Sequence, residues 1–303
     1  MRYITFTPPG EEISRVGVLT GENEVVSLSG VEGLPADMLA LIAGGQEIWD
    51  KAKYLALSLS PSHSIDSVRL HTPLLRPNSL RDFYAFEQHV ATANANRGRE
   101  VPEAWYQIPV FYFSNPHAAY GHGEDVPMPK YTQALDFELE AAAVIGKPGR
   151  DIAAADALEH IFGFTIFNDW SARDEQRKEM SVGLGPAKAK DFASSFGPYI
   201  ITPDELQDRS DGRPGVYDLT MNARINGEET SRGNWKDLHY SFGEMIARAS
   251  ADVTLYPGDI IGSGTVGSGC LLELTKAQGP WLQKGDIVEL EIERLGTLQN
   301  KVI

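Results

Sequence analysis

The acidic residues of one short stretch have the clearest capacity for chemistry in this sequence. Asp136, Glu138 and Glu140 alternate with Phe137 and Leu139 and run directly into an apolar segment. Residues two apart project from the same face of a strand, so the pattern predicts three carboxylates on one side of a buried strand. Such carboxylates repel one another, and a divalent cation such as Mg²⁺, Mn²⁺ or Ca²⁺ is their simplest partner. An edge strand with a solvated acidic face is the alternative that this stretch leaves open.

The charge of the chain narrows the classes of function. Its 303 residues can bury a substantial core, and 42 acidic against 27 basic residues give a net charge of −15. A surface this acidic repels phosphate backbones and anionic lipids, so we expect neither nucleic acid nor a membrane as a partner. An anionic small molecule would need a local cation in order to bind, and a metal ion could supply it.

The cysteine content and the N-terminal segment indicate a reducing compartment. Cys270 is the one cysteine in the sequence, which excludes an intramolecular disulfide and a zinc cluster built on cysteines. The first residues lack the pattern of a secretory signal, and no apolar stretch approaches the roughly 18 residues of a membrane-spanning helix. We therefore expect a cytoplasmic protein.

Elements on both sides of the acidic stretch must position it. Residues 1–70 have the patterns of short strands and helices, and the Ser- and Pro-rich residues 58–64 resemble a linker. We therefore predict a small N-terminal domain over residues 1–72 and a larger domain, which contains the acidic stretch, over residues 73–303. The patterns predict helices at residues 36–43, 47–57, 151–159 and 241–249, and strands at residues 3–6, 14–19, 24–28, 162–170, 199–202, 219–225, 271–274 and 287–292.

Two irregular segments have the character of binding loops. Residues 77–129 crowd aromatic, proline and asparagine side chains together, which is typical of loops that contact a ligand. The glycine-rich residues 262–269 lack the Gly-Lys-Ser/Thr ending of a P-loop, and the helices of a Rossmann unit do not separate the strands here. We expect these glycines to form tight backbone turns beside a ligand.

Ordered motifs in the second part of the chain resemble those of the fumarylacetoacetate hydrolase family. They are Asp-Phe-Glu-Leu-Glu at residues 136–140 with Gly146-Lys147, Asn-Asp-Trp-Ser-Ala-Arg-Asp at 168–174, Lys-Asp-Phe at 190–192, Pro-Gly-Asp at 257–259 with Gly264-Thr265, and Gly285-Asp286. The resemblance covers about residue 73 to the C-terminus. It implies an α+β fold, with a mixed β-sheet roll as the catalytic domain and a small N-terminal α+β domain. It also implies a homodimer that binds a divalent metal.

The resemblance implies roles for individual positions. Asp-Phe-Tyr at 82–84 followed by Gln-His at 88–89 resembles the fumarylacetoacetate hydrolases themselves, whereas many short members carry Asn-Tyr followed by a histidine. The implied metal ligands are Asp82, Glu138, Glu140 and Asp169. The implied catalytic residues are His89 as base, Glu273 as the acid that orients it, and Lys190. The implied substrate contacts are Tyr84, Tyr112, Gln176, Thr265 and either Arg97 or Arg99.

These residue types suit the cleavage of a carbon–carbon bond beside a carbonyl. Such cleavage leaves an enolate, which a divalent cation (Mg²⁺ foremost, with Mn²⁺ or Ca²⁺ as alternatives) and Lys190 would stabilise. Histidine titrates near neutral pH and can activate water, and Glu273 would fix the tautomer of His89. We therefore expect a metal-dependent hydrolase of carbon–carbon bonds in ketonic substances, acting on an acylpyruvate or a fumarylacetoacetate-like diketo acid.

Other functions and roles remain open at this point. Decarboxylation of oxaloacetate and the isomerisation or hydration of 2-oxo-dienoates use the same metal-bound enolate, and a non-catalytic metal- or ligand-binding protein is an alternative of another class. Asp136 stays outside the predicted ligand set, as a residue that supports the ligands or as a structural one. Arg173 and Asp174 fit equally well an ion pair with each other or with neighbours. Tyr84 and Tyr112 have packing roles as their alternative, and we expect Cys270 to be a buried filler.

Overall fold

A computed structural model gives the structure of residues 1–96 and 98–303. The N-terminal part forms short strands and two helices, as the sequence predicted. The elements are β1 (Arg2–Thr7), β2 (Arg15–Thr20), β3 (Glu24–Ser27), α1 (Met38–Ala43), α2 (Gly45–Ser58), β4 (His63–Ser64), a 3₁₀ turn at Ile65–Ser67 and β5 (Arg69–Leu70). The side chain of Asp37 accepts a hydrogen bond from the backbone N–H of Ala40 at 2.9 Å, which fixes the start of α1.

The second part of the chain is dominated by strands. The elements are β6 (Ser79–Phe83), α3 (Glu87–Ala95), β7 (Phe111–Ser114), β8 (Ala119–Tyr120), β9 (Asp125–Val126), β10 (Leu135–Asp136), β11 (Leu139–Ile145), β12 (Ile161–Asp169), β13 (Ser171–Ala172), α4 (Arg173–Ser181), β14 (Ser194–Ile201), β15 (Thr220–Ile225), β16 (Glu228–Asn234), α5 (Phe242–Ser250), β17 (Asp259–Gly262), α6 (Leu271–Leu274), β18 (Ile287–Ile292) and β19 (Gly296–Val302). Short 3₁₀ helices lie at Glu103–Tyr106, Ala154–His160, Pro203–Arg209 and Trp235–Asp237. No helix in the described ranges is both long and apolar enough to cross a membrane.

The strands form a mixed sheet architecture. Twelve strands of the described residues make one sheet, in the order β4-β3-β2-β1-β14-β12-β11-β17-β6-β7, with β5 paired to β1 and β8 to β14. A second sheet has the order β16-β15-β18-β19-β9, and β10 pairs with β13. Most neighbours are antiparallel, whereas β17 runs parallel to β6. The α+β fold with a mixed sheet is therefore confirmed.

The central strands are buried because both of their faces pack against a core. Every residue of β11 and β12 is buried, which explains why their sequences are nearly continuous apolar runs. Leu139, Ala141 and Ala143 pack into one hydrophobic core, and Ala142 and Val144 pack into the other. Helices α1 and α2 contribute to the second core, so the N-terminal segment covers that face of the sheet.

Backbone hydrogen bonds cross the expected domain boundary. Strand β1 pairs with β14, with Arg2 opposite Ile201 and Tyr3 opposite Ile200. The N-terminal strands therefore continue the sheet of the second part, although they precede the linker-like residues 58–64 in the chain. The division into residues 1–72 and 73–303 stays a prediction.

Three local predictions were wrong. The expected strand over residues 136–140 is interrupted: β10 ends at Asp136 and β11 begins at Leu139, so Glu138 lies between the two strands. Residues 271–274 form a short helix instead of a strand, because a buried carboxylate binds the first N–H groups of that turn. The helix expected at residues 151–159 is a 3₁₀ helix at Ala154–His160, since backbone bonds hold residues 149 and 151 to residues 255 and 250.

Four neighbouring strands of the large sheet have an end on the same side of the sheet. Asp169 ends β12, Glu140 lies at the start of β11, Gly262 ends β17, and Asp82 on β6 is paired with Gly262. Strand β11 runs antiparallel to β12 and β17, and β17 runs parallel to β6, so these ends coincide. The fold thus gathers carboxylates from strands that are far apart in the sequence.

Gly262 lies beside Asp82, and its replacement should disturb that acid. A Cβ atom at this position would lie 2.4 Å from Asp82 Oδ1. We expect Gly262→Ala to lower the stability by about 1–3 kcal/mol through overpacking and to weaken the binding of Mg²⁺ or Mn²⁺ in a calorimetric titration.

Gly163→Ala provides a matched control on β12. Its Cβ would lie 2.5 Å from Ile200 Cγ2, and residue 163 pairs with residue 144, away from Asp169 at the end of the strand. This variant should lose stability and keep its metal affinity. Equal metal affinities in the two variants would mean that Gly262 does not position Asp82.

Candidate active site

The side chains predicted as metal ligands form one buried cluster. Asp82, Glu138, Glu140 and Asp169 each offer an oxygen within 4.8 Å of the others, and each residue is at most 5% exposed. The alternative of a solvated acidic face on an edge strand is therefore wrong, because Glu140 lies on the central strand β11. The structure brings together four acids from three separate segments of the chain: Asp82, Glu138 with Glu140, and Asp169.

Two buried cations compensate part of this negative charge. Lys190 Nζ lies 2.5 Å from Glu138 Oε2 and also donates to Asp169. Arg173 donates through Nη2 to Glu138 Oε1 and through Nε to Asp136 Oδ2, both at 2.7 Å. Five carboxylates thus face two cations in this group of described residues.

The pKa values follow this imbalance. Burial raises the pKa of Asp82 to about 7, and the charge of Asp169 adds to the shift. Burial and the charge of Asp82 also raise the pKa of Glu140 well above its usual value. Burial would raise the pKa of Glu138 as well, but the two cations hold it at about 2. Glu138 is therefore the firmly ionised member, and Asp82 and Glu140 carry the unrelieved repulsion.

The unsatisfied oxygens of the cluster fit a divalent cation. Glu140 Oε1 and Asp169 Oδ1 are buried and accept no hydrogen bond within the described part of the chain. A buried carboxylate oxygen without a donor is costly, and a cation would satisfy it while relieving the repulsion. Because all four candidate ligands are carboxylates, the site suits Mg²⁺, Mn²⁺ or Ca²⁺ better than zinc.

His89 and Glu273 form a buried hydrogen-bonded pair. His89 Nδ1 lies 2.5 Å from Glu273 Oε1, and Glu273 Oε2 accepts the backbone N–H of Ser268 at 3.1 Å. An ionised carboxylate can only accept, so the proton of the imidazole sits on Nδ1 and Nε2 keeps its lone pair. The ring of His89 also packs edge-on against Tyr84, with centroids 5.1 Å apart. This arrangement can take a proton from water and stabilise the resulting imidazolium.

Members of the acidic cluster and of the pair line the same cavity of about 540 Å³. Lys190 lines this cavity together with Asp82, Glu138 and His89. The sequence-predicted substrate contacts that also line it are Tyr84, Arg99, Tyr112, Gln176 and Thr265. The other candidate, Arg97, lies outside the described residues.

Two of these predicted contacts bind protein groups of the site. The hydroxyl of Tyr112 donates to Asp169, and the Lys190 ammonium lies 5.8 Å from the Tyr112 ring centroid. Gln176 Oε1 accepts a hydrogen bond from Arg173 Nη1 at 3.0 Å, which leaves its amide NH₂ group available to a ligand. The ring of Tyr112 thus helps to position Lys190 and Asp169 in addition to lining the cavity.

Asp136 connects the acidic cluster to the His89–Glu273 pair. Its Oδ1 accepts the N–H groups of Phe137 and Leu271, and its Oδ2 accepts those of Leu272 and Arg173 Nε, at 2.7–3.0 Å. Leu271 and Leu272 begin the helical turn that carries Glu273, so the same carboxylate holds this turn and Arg173. We infer that Asp136 is a positioning residue for both halves of the site.

Sequence reasoning left the partners of Asp136 and Arg173 open. Arg173 does not bind the adjacent Asp174, whose carboxylate accepts from Thr132 and from the backbone of Gln133. Asp136 meets Arg173 because β10 pairs with β13 immediately before α4. The one available signal was that Asp136 and Arg173 each stand in a family motif. Their spacing in the sequence did not show that they bind each other.

A comparison with protein-family models matches residues 79–303 to the model described as fumarylacetoacetate (FAA) hydrolase, C-terminal. The chain belongs to the fumarylacetoacetate hydrolase family. This membership confirms the resemblance drawn from the sequence motifs and makes the protein an enzyme of that family. The matched residues begin just before Asp82 and include all four acids of the cluster.

Family members with similar sequences extend over nearly the whole chain. The human mitochondrial oxaloacetate tautomerase FAHD2A is 30% identical over 306 residues, covering 100% of this chain and 92% of the relative. The oxaloacetate tautomerase YisK of Bacillus subtilis is 29% identical over 305 residues, covering 95% of each chain. Among solved structures, a fumarylacetoacetate hydrolase from Exiguobacterium antarcticum has a TM-score of 0.77 and 28% identity, covering 100% of this chain and 99% of that one. The family names thus include both tautomerases and hydrolases.

The stability of the metal-free protein should fall as the pH rises. Asp82 has an ordinary pKa of 3.8 and a folded-state pKa of about 7, so its protonated form favours the folded state. Its stabilising contribution is complete below about pH 4 and disappears as the pH approaches 7. Glu138, with its lowered pKa of about 2, changes stability only below its ordinary value of 4.5.

Thermal unfolding between pH 4.5 and 7 in EDTA and in excess Mg²⁺ measures this effect. The stabilisation by Mg²⁺ should grow with pH, because protons compete with the cation for the same oxygens. Asp82→Asn should flatten the dependence seen in EDTA. A stabilisation by Mg²⁺ that is independent of pH would contradict the assignment of these acids to the metal.

Asp136→Asn should damage the site while preserving the shape of the side chain. The amide keeps one acceptor but loses the charge that holds Arg173 and the turn of Glu273. We expect a loss of about 10- to 100-fold in kcat or in metal affinity. Asp174→Asn, on the same helix as Arg173, is the control and should change neither quantity. Unaltered kcat and metal affinity in a folded Asp136→Asn protein would show that Asp136 is only structural.

Proposed function

We propose that the protein is a metal-dependent hydrolase that cleaves a carbon–carbon bond in a 2,4-dioxo acid, an acylpyruvate. The observation that supports this proposal is the buried His89–Glu273 pair, with Nδ1 and Oε1 2.5 Å apart, beside the acidic cluster in one cavity. Hydrolysis needs a base that activates water next to a group that stabilises an enolate, and these residues could supply both.

The acidic cluster and Lys190 would stabilise negative charge, and His89 would transfer protons. Asp82, Glu138, Glu140 and Asp169 would hold a divalent cation, which supplies Lewis-acid stabilisation of the negative charge on oxygen when it is bound. Lys190 stays charged, because Asp169 and Glu138 raise its pKa although burial opposes the charge. Its ammonium adds a compact positive charge at the same place.

The reaction balances with water as the second reactant. His89 Nε2 accepts a proton from water, and the hydroxide oxygen bonds to the carbonyl carbon of the acyl group. The bond from that carbon to the methylene group breaks, and the electron pair forms the enolate of pyruvate. Protonation of the methylene carbon by the imidazolium gives pyruvate, and the acyl group leaves as a carboxylic acid.

Keto–enol tautomerisation of oxaloacetate is the second candidate. The chain is 29–30% identical over nearly its whole length to relatives named oxaloacetate tautomerases. The same base and cation could move a proton between the methylene carbon and the oxo oxygen. This reaction needs no attack by water, so the two candidates differ in what His89 deprotonates.

Parallel assays of acetylpyruvate and oxaloacetate, with Mg²⁺ or Mn²⁺ and with EDTA, test the proposal. We expect metal-dependent release of acetate and pyruvate from acetylpyruvate. Decay of the enol absorbance of oxaloacetate without cleavage of acetylpyruvate would favour the tautomerase. Release of carbon dioxide from oxaloacetate alone would favour a decarboxylase, and isomerisation of a 2-oxo-dienoate without either reaction would favour an isomerase.

His89→Ala should separate catalysis from metal binding. We expect kcat for acylpyruvate cleavage to fall by about 10²- to 10⁴-fold, with unchanged metal affinity, because His89 lies outside the acidic cluster. Glu138→Ala should weaken metal binding, and His160→Ala, which removes a histidine outside the cavity, should change neither property. An equal loss of metal affinity in His89→Ala would sink the assignment of His89 as base.

The assembly, metal and location of the protein are part of this proposal. We propose a homodimer with Mg²⁺ as the metal, Mn²⁺ or Ca²⁺ being alternatives, on the basis of family resemblance and the all-oxygen ligand set. We keep the cytoplasm as the proposed location, although the names of several relatives place those proteins in mitochondria.

A further inference from the structure

The cavity beside the active site has an apolar wall that the cleavage chemistry does not require. Residues 102–111 contribute six apolar side chains to the lining of the cavity, and no charged ones. These residues are Pro102, Ala104, Trp105, Ile108, Val110 and Phe111. Ile108 and Val110 are each 39% exposed, so a bound apolar group would cover side chains that now face water.

The apolar lining also flanks the catalytic pair. Val90 and Ala93 lie on α3 with His89, and Leu272 lies directly before Glu273. All three are buried lining residues. The base must lie close to the carbonyl carbon of the acyl group, since water attacks that carbon. The surroundings of His89 are therefore also the surroundings of the acyl group.

Trp105 is a rigid part of this wall. Its Nε1 donates to the backbone oxygen of Tyr84 at 2.8 Å, and its own backbone oxygen accepts the hydroxyl of Tyr240 at 2.6 Å. The indole is 4% exposed and packs against His239 and Tyr240. Because its polar groups are satisfied, Trp105 presents an apolar surface of fixed position.

The charges of the lining disfavour an acyl group that ends in a carboxylate. Lys190 and Arg173 are committed to the carboxylates of the acidic cluster and to Asp136. Among the described lining residues, Arg99 is the one cation without a carboxylate partner, and it is exposed. The buried part of the wall thus offers apolar contact and no free positive charge within the described residues.

From this distribution we infer that the cavity selects 2,4-dioxo acids whose acyl group is apolar and larger than acetyl, such as a medium-length alkyl chain or a phenyl ring. The inference rests on the proposed hydrolysis and names the substrate class of the same site. A volume of about 540 Å³ lies within the range of about 300–1,000 Å³ that is common for drug-sized ligands, so a larger acyl group can be accommodated.

A series of acylpyruvates tests the inference on the Mg²⁺-loaded enzyme. The series is acetyl-, butanoyl-, hexanoyl- and benzoylpyruvate, together with the analogue of hexanoylpyruvate that ends in a carboxylate. We expect kcat/KM to rise by about threefold to fourfold for each added methylene until the wall is covered. Benzoylpyruvate should also exceed acetylpyruvate, and the carboxylate analogue should fall below hexanoylpyruvate.

A matched pair of substitutions localises the effect to the wall. Val110→Asp places a carboxylate on the wall, and Val253→Asp makes the same change at a 46% exposed position outside the cavity. Val110→Asp should lower kcat/KM for hexanoylpyruvate by at least 10-fold and change that for acetylpyruvate much less. Val253→Asp should leave both substrates unaffected.

The outcomes separate this inference from the proposed function. Cleavage of acetylpyruvate as efficient as that of hexanoyl- and benzoylpyruvate, or a preference for the carboxylate analogue, would overturn the inference and leave the hydrolase intact. Cleavage of no member would reject the hydrolase. In that case, calorimetric titration of the Mg²⁺-loaded protein with 2-oxooctanoate and with pyruvate tests whether the wall binds an apolar group. Tighter binding of the longer acid supports the inference, and equal binding rejects it.

Discussion

Mutual repulsion among buried carboxylates is the constraint on which the rest of the site depends. Asp82, Glu138, Glu140 and Asp169 lie within reach of one another and out of water, an arrangement that is unfavourable without opposing charge. Lys190 and Arg173 relieve it at Glu138, and the backbone N–H of Gly264 donates to Asp82 at 3.1 Å and to Glu140 at 2.9 Å. The relief is incomplete, which is why the pKa values of Asp82 and Glu140 are raised and why the cluster fits a divalent cation. A bound cation would remove the repulsion at Asp82 and Glu140, and this gain would add to the affinity for the metal.

The same electrostatics separate two kinds of chemistry within one cavity. The acidic cluster accumulates negative charge that attracts a cation, whereas His89 bonds to a different acid, Glu273, which keeps its Nε2 free as a base. Glu273 is far from the acidic cluster in the sequence, but Asp136 links the two, because its carboxylate holds Arg173 on one side and the turn of Glu273 on the other. A fully buried carboxylate with four donors is well suited to this task, because any displacement would leave it unsatisfied. The geometry of the base is thus tied to the geometry of the metal site.

Periodicity predicted the regular elements well and the short ones poorly. The strand β12, the strand β15 and the helix α5 were predicted correctly, because their apolar patterns are local signals. The turn at Leu271–Leu274 was predicted as a strand, since its sequence is apolar and its helical form depends on a carboxylate that precedes it by 135 residues. The predicted continuous strand at residues 136–140 failed for the same reason, because Asp136 pairs with β13 and Arg173. Both predictions failed because the conformation of the segment depends on a partner that is distant in the sequence.

The sequence by itself determined the kind of chemistry: an acidic chain without usable cysteines can bind an anion through a hard cation, and its motifs place it in a family of such enzymes. It also indicated which acids, which histidine and which lysine belong to the site, because these residue types stand within motifs. Only the tertiary structure decided how they meet. The strand order β12-β11-β17-β6 brings Asp169, Glu140 and Asp82 to one edge, and the pairing of β10 with β13 places Arg173 against Asp136. It also placed six apolar side chains of residues 102–111 in the lining of the cavity that His89 faces, because non-local strand pairing, which no local pattern encodes, determines what faces the cavity.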